Sequence, residues 1–324
     1  MNRSLDRWSR VVRCTISVIP TALMVLLGCL APSRQATVVK GTSRVVEGPR
    51  GYVEPGLEPG SILTFTPVAT AHLPILLRPR GTVSEALSLD QVTYWAYQIQ
   101  ELSRRGAVDA LVASRYDMLV LEPTRTDWSS DDKHFDTGRM VARLKGSAAS
   151  DGAHRKLVLA YIDIGEAEDW RWYWKWSTGW DCTGDRPADW PDYILTCDPD
   201  GWTGNYPVAY WDAAWKDVVI YGRHQGSDPD RDYSSVLDEV LLDGFDGIYL
   251  DWVEAFEDET VAAAARAVGK DPATEKIAFI NEMKQVAAAR HPGFLIIQQK
   301  AASLIDGHPE LVWAIDAIAQ EAIL

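Results

Sequence analysis

Short apolar runs alternate with helical stretches from about residue 90 to the end of the chain, and this alternation limits the fold more than any other feature. Apolar strands separated by helices are typical of a parallel sheet buried on both faces. Seven strands over roughly 235 residues favour a barrel over a doubly wound sheet. The sequence therefore predicts an α/β fold, a (β/α)8 TIM-like barrel that lacks its last strand in this chain. The predicted strands are Val92–Gln98, Tyr116–Leu121, Lys156–Ile164, Val208–Trp211, Gly247–Leu250, Phe294–Gln298 and Ala314–Ile318.

Five helices are predicted between the strands. The last has the clearest boundaries, because Asp271 is a good N-cap residue and Pro272 fits the first helical position. Apolar residues of this segment also recur on one helical face. The predicted helices are Gln100–Ser114, Thr137–Lys145, Asp212–Ile220, Ser234–Leu242 and Pro272–Arg290.

The first 28 residues have the pattern of an export signal. Four arginines precede an apolar stretch from Ile16 to Leu27, which is too short for a comfortable membrane span. The following Leu26-Leu27-Gly28-Cys29 resembles a bacterial lipobox, which would place a lipid on Cys29. A plain secretory signal is the alternative. We expect an extracytoplasmic protein, lipid-anchored to the cell envelope or secreted, that meets the membrane only through the lipid.

Two further regions follow the predicted signal. Residues 29–88 contain closely spaced Pro and Gly turn signals, which indicate a tether. Residues 89–324 would form the barrel domain, and we expect a monomer.

Net charge limits the partners. The formal charge is −14, and removal of residues 1–28 would make it −17. Nucleic acid is therefore excluded as a partner, because phosphate binding requires clustered Lys and Arg. An acidic protein suits neutral or cationic ligands better.

The four cysteines are Cys14, Cys29, Cys182 and Cys197. Cys182 and Cys197 lie close together in an exported chain, which favours a disulfide. A metal site is the competing interpretation, but neither cysteine has a histidine nearby. The six histidines show no metal-ligand spacing, and no nucleotide-binding loop occurs, so we expect neither a metal nor a cofactor.

Polar residues recur where the predicted strands end, and the carboxyl ends of barrel strands are where active sites form. Asp251 is the strongest candidate, because the turn Gly244–Gly247 leads into an apolar strand that ends in this single carboxylate. A helix cap or an ion-pair partner is the alternative interpretation of Asp251. We expect Asp246 to brace the turn. The other candidates, assigned to substrate binding, are Tyr97, Glu166, Glu168, Arg171, Tyr210, Trp211, Asp212, Trp252 and Gln298.

Glycoside hydrolysis requires two carboxyl groups that face the scissile bond. Glu321, on the seventh predicted strand, is the preferred partner of Asp251, and Glu166 or Glu168 are the reserves.

Nine of the fourteen tryptophans lie between positions 170 and 215. Flat aromatic faces stack on sugar rings, so a saccharide cleft is one interpretation. A self-packed lid, held by a Cys182–Cys197 disulfide, is the other, and both can hold together.

Three segments together resemble glycoside hydrolase family 114, the endo-α-1,4-polygalactosaminidases. They are Ile164–Arg171, Tyr210–Asp212 and Gly244–Asp251, and the resemblance runs from about Tyr94 to the end. The closer likeness is to an extracellular branch often mislabelled as cysteinyl-tRNA synthetase. The resemblance implies a TIM-like barrel that cleaves galactosamine-rich polysaccharide, with catalytic residues at Asp251 and Glu321. It also implies substrate binding by Glu168 and Arg171.

The sequence thus predicts an exported glycoside hydrolase that acts on an aminosugar-containing polysaccharide through two carboxylates. Two alternatives remain open. One is a non-catalytic carbohydrate-binding lipoprotein on the same barrel, and the other is a surface-assembly protein whose tryptophan cluster meets another protein.

Overall fold

The computed structural model describes residues 14–18, 38–39, 85–123, 134–222 and 233–321. Ten strands lie in these ranges: β1 (Cys14–Val18), β2 (Val38–Val39), β3 (Trp95–Gln98), β4 (Met118–Leu121), β5 (Leu157–Asp163), β6 (Glu166–Glu168), β7 (Asn205–Pro207), β8 (Gly247–Asp251), β9 (Leu295–Gln299) and β10 (Ala317–Glu321). The helices are α1 (Ala107–Ala113), α2 (Thr137–Lys145), α3 (Ala213–Lys216), α4 (Val236–Leu242), α5 (Glu259–Ala267), α6 (Pro272–Arg290) and α7 (Ser303–Gly307).

The main sheet has the strand order β2-β1-β10-β9-β8-β5-β4-β3. Its six strands from β3 to β10 are parallel and curl into about half a barrel, with helices along the outside. The prediction of an α/β barrel-type fold is therefore confirmed. The backbone of β1 pairs antiparallel with β10.

The two faces of the curled sheet carry separate apolar clusters, as the alternation of side chains along a strand requires. The face toward the helices includes Leu119, Ile162 and Leu250, packed with helix residues such as Ile277. The opposite face, called the inner face below, carries these residues of the second cluster: Trp95, Met118, Val120, Leu159, Tyr161, Tyr249, Ile297 and Ala319.

The predicted strand Val208–Trp211 is wrong. The strand in this region is β7, which lies three residues earlier and pairs antiparallel with β6 outside the main sheet. Val208, Ala209 and Tyr210 are buried, and the backbone turns at Asp212, whose amide donates to the Ala209 carbonyl. The apolar run reflects burial of a turn, which periodicity cannot distinguish from a strand. As a result, β5 pairs directly with β8.

The last predicted strand begins three residues too early. A 3-10 helix, Pro309–Trp313, precedes it, and β10 starts at Ala317. Asp316 ends this connection, because its carboxylate accepts hydrogen bonds from the Ile296 amide and from Lys284.

The boundaries of α2 and α6 are as predicted, and side chains of Asp136 and Asp271 cap these two helices. Helix α1 is shorter than predicted, because Gly106 takes a left-handed backbone conformation and the helix begins after it. Helix α5 was not predicted.

The predicted signal (1–28), the lipidation site Cys29 and the tether (29–88) lie mostly outside the described residues and remain predictions. Within the described ranges, no helix combines the length and the apolar character needed to cross a membrane.

Candidate functional site

Four polar residues follow the inner-face cluster at the carboxyl ends of neighbouring strands. We call these four residues the rim. Glu122 directly follows β4, and the last residues of β5, β8 and β9 are Asp163, Asp251 and Gln299. Glu122, Asp163 and Gln299 are buried, whereas Asp251 is half-buried. Asp251 is therefore the rim carboxylate that a substrate can reach most easily.

Asp251 and Asp163 are register partners on adjacent parallel strands. Strands lie about 4.8 Å apart, so the two carboxyl groups start from neighbouring backbone positions. Sequence analysis did not select Asp163. The alternation Leu159, Tyr161, Asp163 along the strand would have placed it on the same face as the other candidates.

Two hydrogen bonds orient the Asp251 carboxylate. The Tyr161 hydroxyl donates to Oδ2 at 2.5 Å, and the Trp252 amide donates to Oδ1 at 2.8 Å. Trp252 has a left-handed backbone with φ of 48°. Left-handed non-glycine residues also follow β9, at Lys300 and Ala301. Such strained positions cluster at functional sites, and here they share the carboxyl edge of the sheet with Asp251.

Trp252 packs against Gly165 in the loop after β5. A Cβ atom at Gly165 would lie 2.3 Å from the Trp252 ring and 2.7 Å from its carbonyl oxygen. Only glycine fits at this position, so the loop after β5 and the turn after Asp251 fix each other.

Asp163 is bound by its own loop. Its Oδ1 accepts hydrogen bonds from the amides of Gly165 and Glu166, both at 2.9 Å. Burial, together with the negative charges of Asp251 and Glu168, raises the pKa of Asp163 well above its usual value despite these bonds. Burial therefore favours the neutral form of Asp163.

Arg171 lies between two buried carboxylates. Its guanidinium binds Glu122 and Glu168, the latter at 2.6 Å, and stacks on the Trp170 ring at 4.0 Å. Burial raises the pKa of Glu122 to about 8, and the charge of Arg171 opposes that shift. Glu168 and Arg171 therefore form an ion-paired group with Glu122, which sequence analysis did not select.

A small pocket adjoins this group. Its polar lining comes from Tyr161, Asp163, Glu168, Arg171 and Glu239. The pocket is thus lined both by Glu168 and Arg171 of the ion-paired group and by Tyr161, which contacts Asp251.

Glu166 is buried beside the half-buried Asp198. Asn205 donates to its Oε2 at 3.0 Å. Burial raises the pKa of Glu166 to about 12, and the nearby carboxyl groups of Asp163 and Asp198 add to the shift. A protonated Glu166 can share its hydrogen with Asp198, which makes it a neutral structural group at the pH of most reactions.

Lys276 is a fully buried cation that reaches this loop from α6. Its ammonium lies 3.9 Å above the Tyr210 ring and 3.5 Å from the Ile164 carbonyl. Burial lowers the pKa of Lys276 to about 7, and the charges of Asp163, Glu254 and Glu166 oppose that shift.

Tyr97, a predicted substrate-binding residue, lies on the inner face beneath the rim. Its ring makes edge contacts with Tyr161 at 5.7 Å and with Tyr249 at 5.9 Å. Burial and the charge of Asp251 raise the pKa of Tyr97 well above its usual value.

Four other predicted substrate-binding residues have local structural contacts. Tyr210 is fully buried and donates to the Pro272 carbonyl at 2.8 Å, and Trp211 packs on its ring at 5.0 Å. Asp212 caps α3 through the Ala214 amide. Gln298 is completely buried, pairs in register with Leu250 of the helix-facing side, and donates to the Lys300 and Ala301 carbonyls. Gln299, on the inner face, is the amide at the rim.

Glu321 is the last residue of β10, two positions after the inner-face residue Ala319. Its side chain lies outside the part of the chain that the structure describes.

The predicted disulfide between Cys182 and Cys197 is confirmed. It lies within the segment 170–215 that carries the nine tryptophans and closes a loop that contains Trp190. None of the nine tryptophans between 170 and 215 is exposed. Trp174 makes ring contacts of 5.2 to 5.5 Å with Trp176, Trp190 and Tyr206. These contacts favour the self-packed lid over a cleft lined by open tryptophan faces.

At the amino-terminal end of β8, the carboxylate of Asp246 is surrounded by cations. Asp246 accepts hydrogen bonds from Arg155 and from the Val158 amide, and Lys145 lies 2.9 Å away. Burial opposes ionisation of Asp246, but the bonds from Arg155 and Lys145 outweigh it and lower the pKa. The structural role predicted for Asp246 is confirmed.

Among the residues that the structure describes, no group of three or more His, Cys, Asp and Glu side chains could hold a metal ion.

No family model matches the chain. It is 29% identical over 243 residues to an uncharacterized protein of Deinococcus radiodurans, covering 75% of this chain and 64% of that protein. It is 34% identical over 151 residues to an uncharacterized protein of Thermotoga maritima, covering 46% of this chain and 38% of that protein. The chain thus spans less than two thirds of the length of either relative.

Two solved structures show a distant similarity. One is the crystal structure of Aspergillus fumigatus Ega3 in complex with galactosamine, at 16% identity and a TM-score of 0.40, covering 73% of this chain and 66% of that one. The other is the glycoside hydrolase domain of PelA from Pseudomonas aeruginosa, at 14% identity and a TM-score of 0.39, covering 67% and 63%. These scores are too low to assign an activity to this chain.

Proposed function

We propose that this protein is an exported glycoside hydrolase that cleaves an aminosugar-containing polysaccharide, with Asp251 as nucleophile or base and Glu321 as acid. The observation that carries the proposal is the half-buried Asp251 carboxylate, held by two hydrogen bonds at the carboxyl edge of a curled parallel sheet. Reacting groups of barrel enzymes lie at this edge. An oriented carboxylate that solvent can reach is what a glycosidase needs from its nucleophile or base.

The two proposed carboxylates lie at the same edge of the sheet. Asp251 on β8 and Glu321 on β10 are separated by the single strand β9, and Glu321 lies two residues beyond Ala319, the residue level with Asp251. Two strand spacings and two residues along the strand amount to about 12 Å between backbones, so the side chains must converge over β9 to reach the separation of about 5 to 9.5 Å that glycosidases use. Asp163 is the register partner of Asp251 and is therefore nearer to it than Glu321 is. However, Asp163 is buried and its carboxylate accepts hydrogen bonds from two backbone amides, which supports Glu321 as the catalytic partner.

The charge of the whole chain supports a cationic substrate. Its formal charge is −14, and Asp251 is the half-buried carboxylate at the rim. A negative field attracts an amine-bearing polymer. Together with the resemblance of Ile164–Arg171 and Gly244–Asp251 to the polygalactosaminidases, this supports a galactosamine-rich substrate.

Release of reducing ends across a panel of polysaccharides tests the proposal. The panel comprises partly deacetylated α-1,4-galactosaminan, the same polymer fully N-acetylated, chitosan and a neutral α-glucan. We expect the wild-type protein to cleave the partly deacetylated galactosaminan fastest. Saturable binding without cleavage of any polymer would contradict hydrolysis and support the non-catalytic carbohydrate-binding alternative.

A further inference from the structure

Tyr161 lies two residues before the end of β5, directly below the rim. Its hydroxyl donates to Asp251 Oδ2 at 2.5 Å, across the interface between two adjacent strands. We propose that Tyr161 is a positioning residue that fixes the orientation of the Asp251 carboxylate and stabilises its ionised form. The proposal rests on the proposed function, because it assigns Tyr161 a role in the reaction of Asp251.

The packing of Tyr161 leaves its hydroxyl little freedom. The side chain is buried, its ring meets the edge of Tyr97 at 5.7 Å, and its register partner on β8 is Tyr249. This packing holds the ring so that its hydroxyl reaches the Asp251 carboxylate and also lies beside the Tyr97 hydroxyl. The sheet therefore sets the geometry of the hydrogen bond to Asp251.

The hydroxyl acts as a donor throughout the pH range in which proteins are stable. Burial, followed by the negative charge of Asp251, raises the pKa of Tyr161 well above its usual value. The phenol therefore keeps its proton. The Trp252 amide binds Oδ1 of Asp251 and Tyr161 binds Oδ2, so rotation of the carboxylate would break both bonds.

The groups around Asp251 explain why such a donor is needed. Among the described residues, the titratable side chains whose charge or hydrogen bond acts on Asp251 include Tyr97 from β3 and Tyr161 and Asp163 from β5. On the other side, β9 contributes the neutral amide of Gln299. Whenever Asp163 ionises, it disfavours a charged Asp251, whereas a hydrogen bond to the carboxylate favours it. Tyr161 thus offsets the one neighbouring acid that shares the register of Asp251.

The substitution Tyr161→Phe tests this role, because it removes the hydroxyl and keeps the ring. Tyr193→Phe is the matched control: Tyr193 is also buried, and its hydroxyl has no hydrogen-bond partner among the described residues. The first readout is the titration of the Asp251 carboxyl, followed by carbon-13 NMR on aspartate-labelled protein and assigned by the signal that Asp251→Asn removes. The second readout is the dependence of kcat/KM on pH.

In Tyr161→Phe we expect the Asp251 titration midpoint to rise by about one pH unit, the effect of losing one hydrogen bond to a charged group. The acid limb of the kcat/KM profile should move upward by the same amount. Tyr193→Phe should change neither. An unchanged midpoint and an unchanged acid limb in Tyr161→Phe would overturn the proposal.

A second replacement covers the case in which Tyr161→Phe does not fold. 3-Fluorotyrosine at position 161 retains the ring and the hydroxyl but is a stronger donor, so the Asp251 midpoint should fall. A midpoint that stays constant or rises would contradict the role. The NMR titration needs no turnover, so the role of Tyr161 can be tested independently of the proposed hydrolase activity. Absence of reducing-end release by the wild-type protein contradicts the proposed function, and an unmoved midpoint contradicts the role of Tyr161.

Discussion

Arg155 donates two hydrogen bonds to Asp246, at 2.7 Å to Oδ2 and 2.8 Å to Oδ1. Asp246 directly precedes β8, and Asp251 ends the same strand. The first carboxylate is thus held by cations at the amino edge of the sheet, whereas the second contacts a phenol and a backbone amide at the carboxyl edge. One short strand therefore separates an aspartate that stabilises the fold from the candidate catalytic aspartate.

Asp246→Asn should lower the free energy of unfolding by about 3 kcal/mol at pH 7, because it leaves Arg155 and Lys145 without their anionic partner. The pKa of Asp246 is lowered in the folded protein. Its contribution is therefore fully present above the unfolded pKa, near 4, and is lost as the pH falls through the lower folded value. Urea unfolding at pH 7 and in acid should show the gap between variant and wild type closing at low pH. A gap that is constant with pH would contradict the ion-pair account.

Gly165→Ala should destabilise the protein by about 2 kcal/mol, because the new methyl group would overlap the Trp252 ring. Trp252 must then move, and Asp251 loses the amide bond at Oδ1. We expect a lower Tm and a fall in kcat. Gly307→Ala is the control, because a Cβ atom there meets nothing within 4 Å. Equal Tm values for the two variants would show that Gly165 is not tightly packed.

Replacing Cys182 and Cys197 by serine together should lower stability by about 3 kcal/mol, the entropic value for a closed loop of this size. The wild-type protein should lose the same stability on reduction. Thermal unfolding of both proteins with and without reductant checks this. A wild-type Tm that does not respond to reductant would contradict a stabilising disulfide.

Lys276 should make stability rise with pH between about 7 and 10.5. Its pKa falls to about 7 in the folded protein, so in this range the unfolded chain binds the additional proton. Below pH 7 the lysine is charged in both states and adds no slope. Lys276→Met should remove this rise, whereas Lys175→Met, at an exposed position, should retain it. Urea unfolding at pH 7, 8.5 and 10 measures the slopes, and equal slopes in Lys276→Met and the wild type would refute the assignment.

Short-range sequence patterns were sufficient to predict some features of the structure. Helix α6 has the predicted boundaries because Asp271 and Pro272 determine its start through contacts within one turn. Asp251 could be selected because a turn, an apolar strand and a carboxylate follow one another in sequence. The Cys182–Cys197 disulfide could also be predicted, because the two cysteines are close in sequence.

Other parts depend on which strands are neighbours, which short-range patterns do not determine. Val208–Trp211 was expected to form a strand between those of Asp163 and Asp251, whereas β5 and β8 are directly paired. For that reason the sequence did not predict the contact between Tyr161 and Asp251. The substrate-binding assignments of Tyr210 and Asp212 depended on the same expected strand and stay predictions.

Reducing-end release by Asp251→Asn tests the central claim most directly. Asp109→Asn is the control, because Asp109 is an exposed aspartate that pairs with Arg143 on the outer helices. On partly deacetylated galactosaminan, loss of the nucleophile or base should reduce turnover by at least about a thousandfold in Asp251→Asn. The Tm should remain close to that of the wild type, and Asp109→Asn should retain full activity. Wild-type turnover in a folded Asp251→Asn protein would contradict the assignment of Asp251 as the catalytic carboxylate.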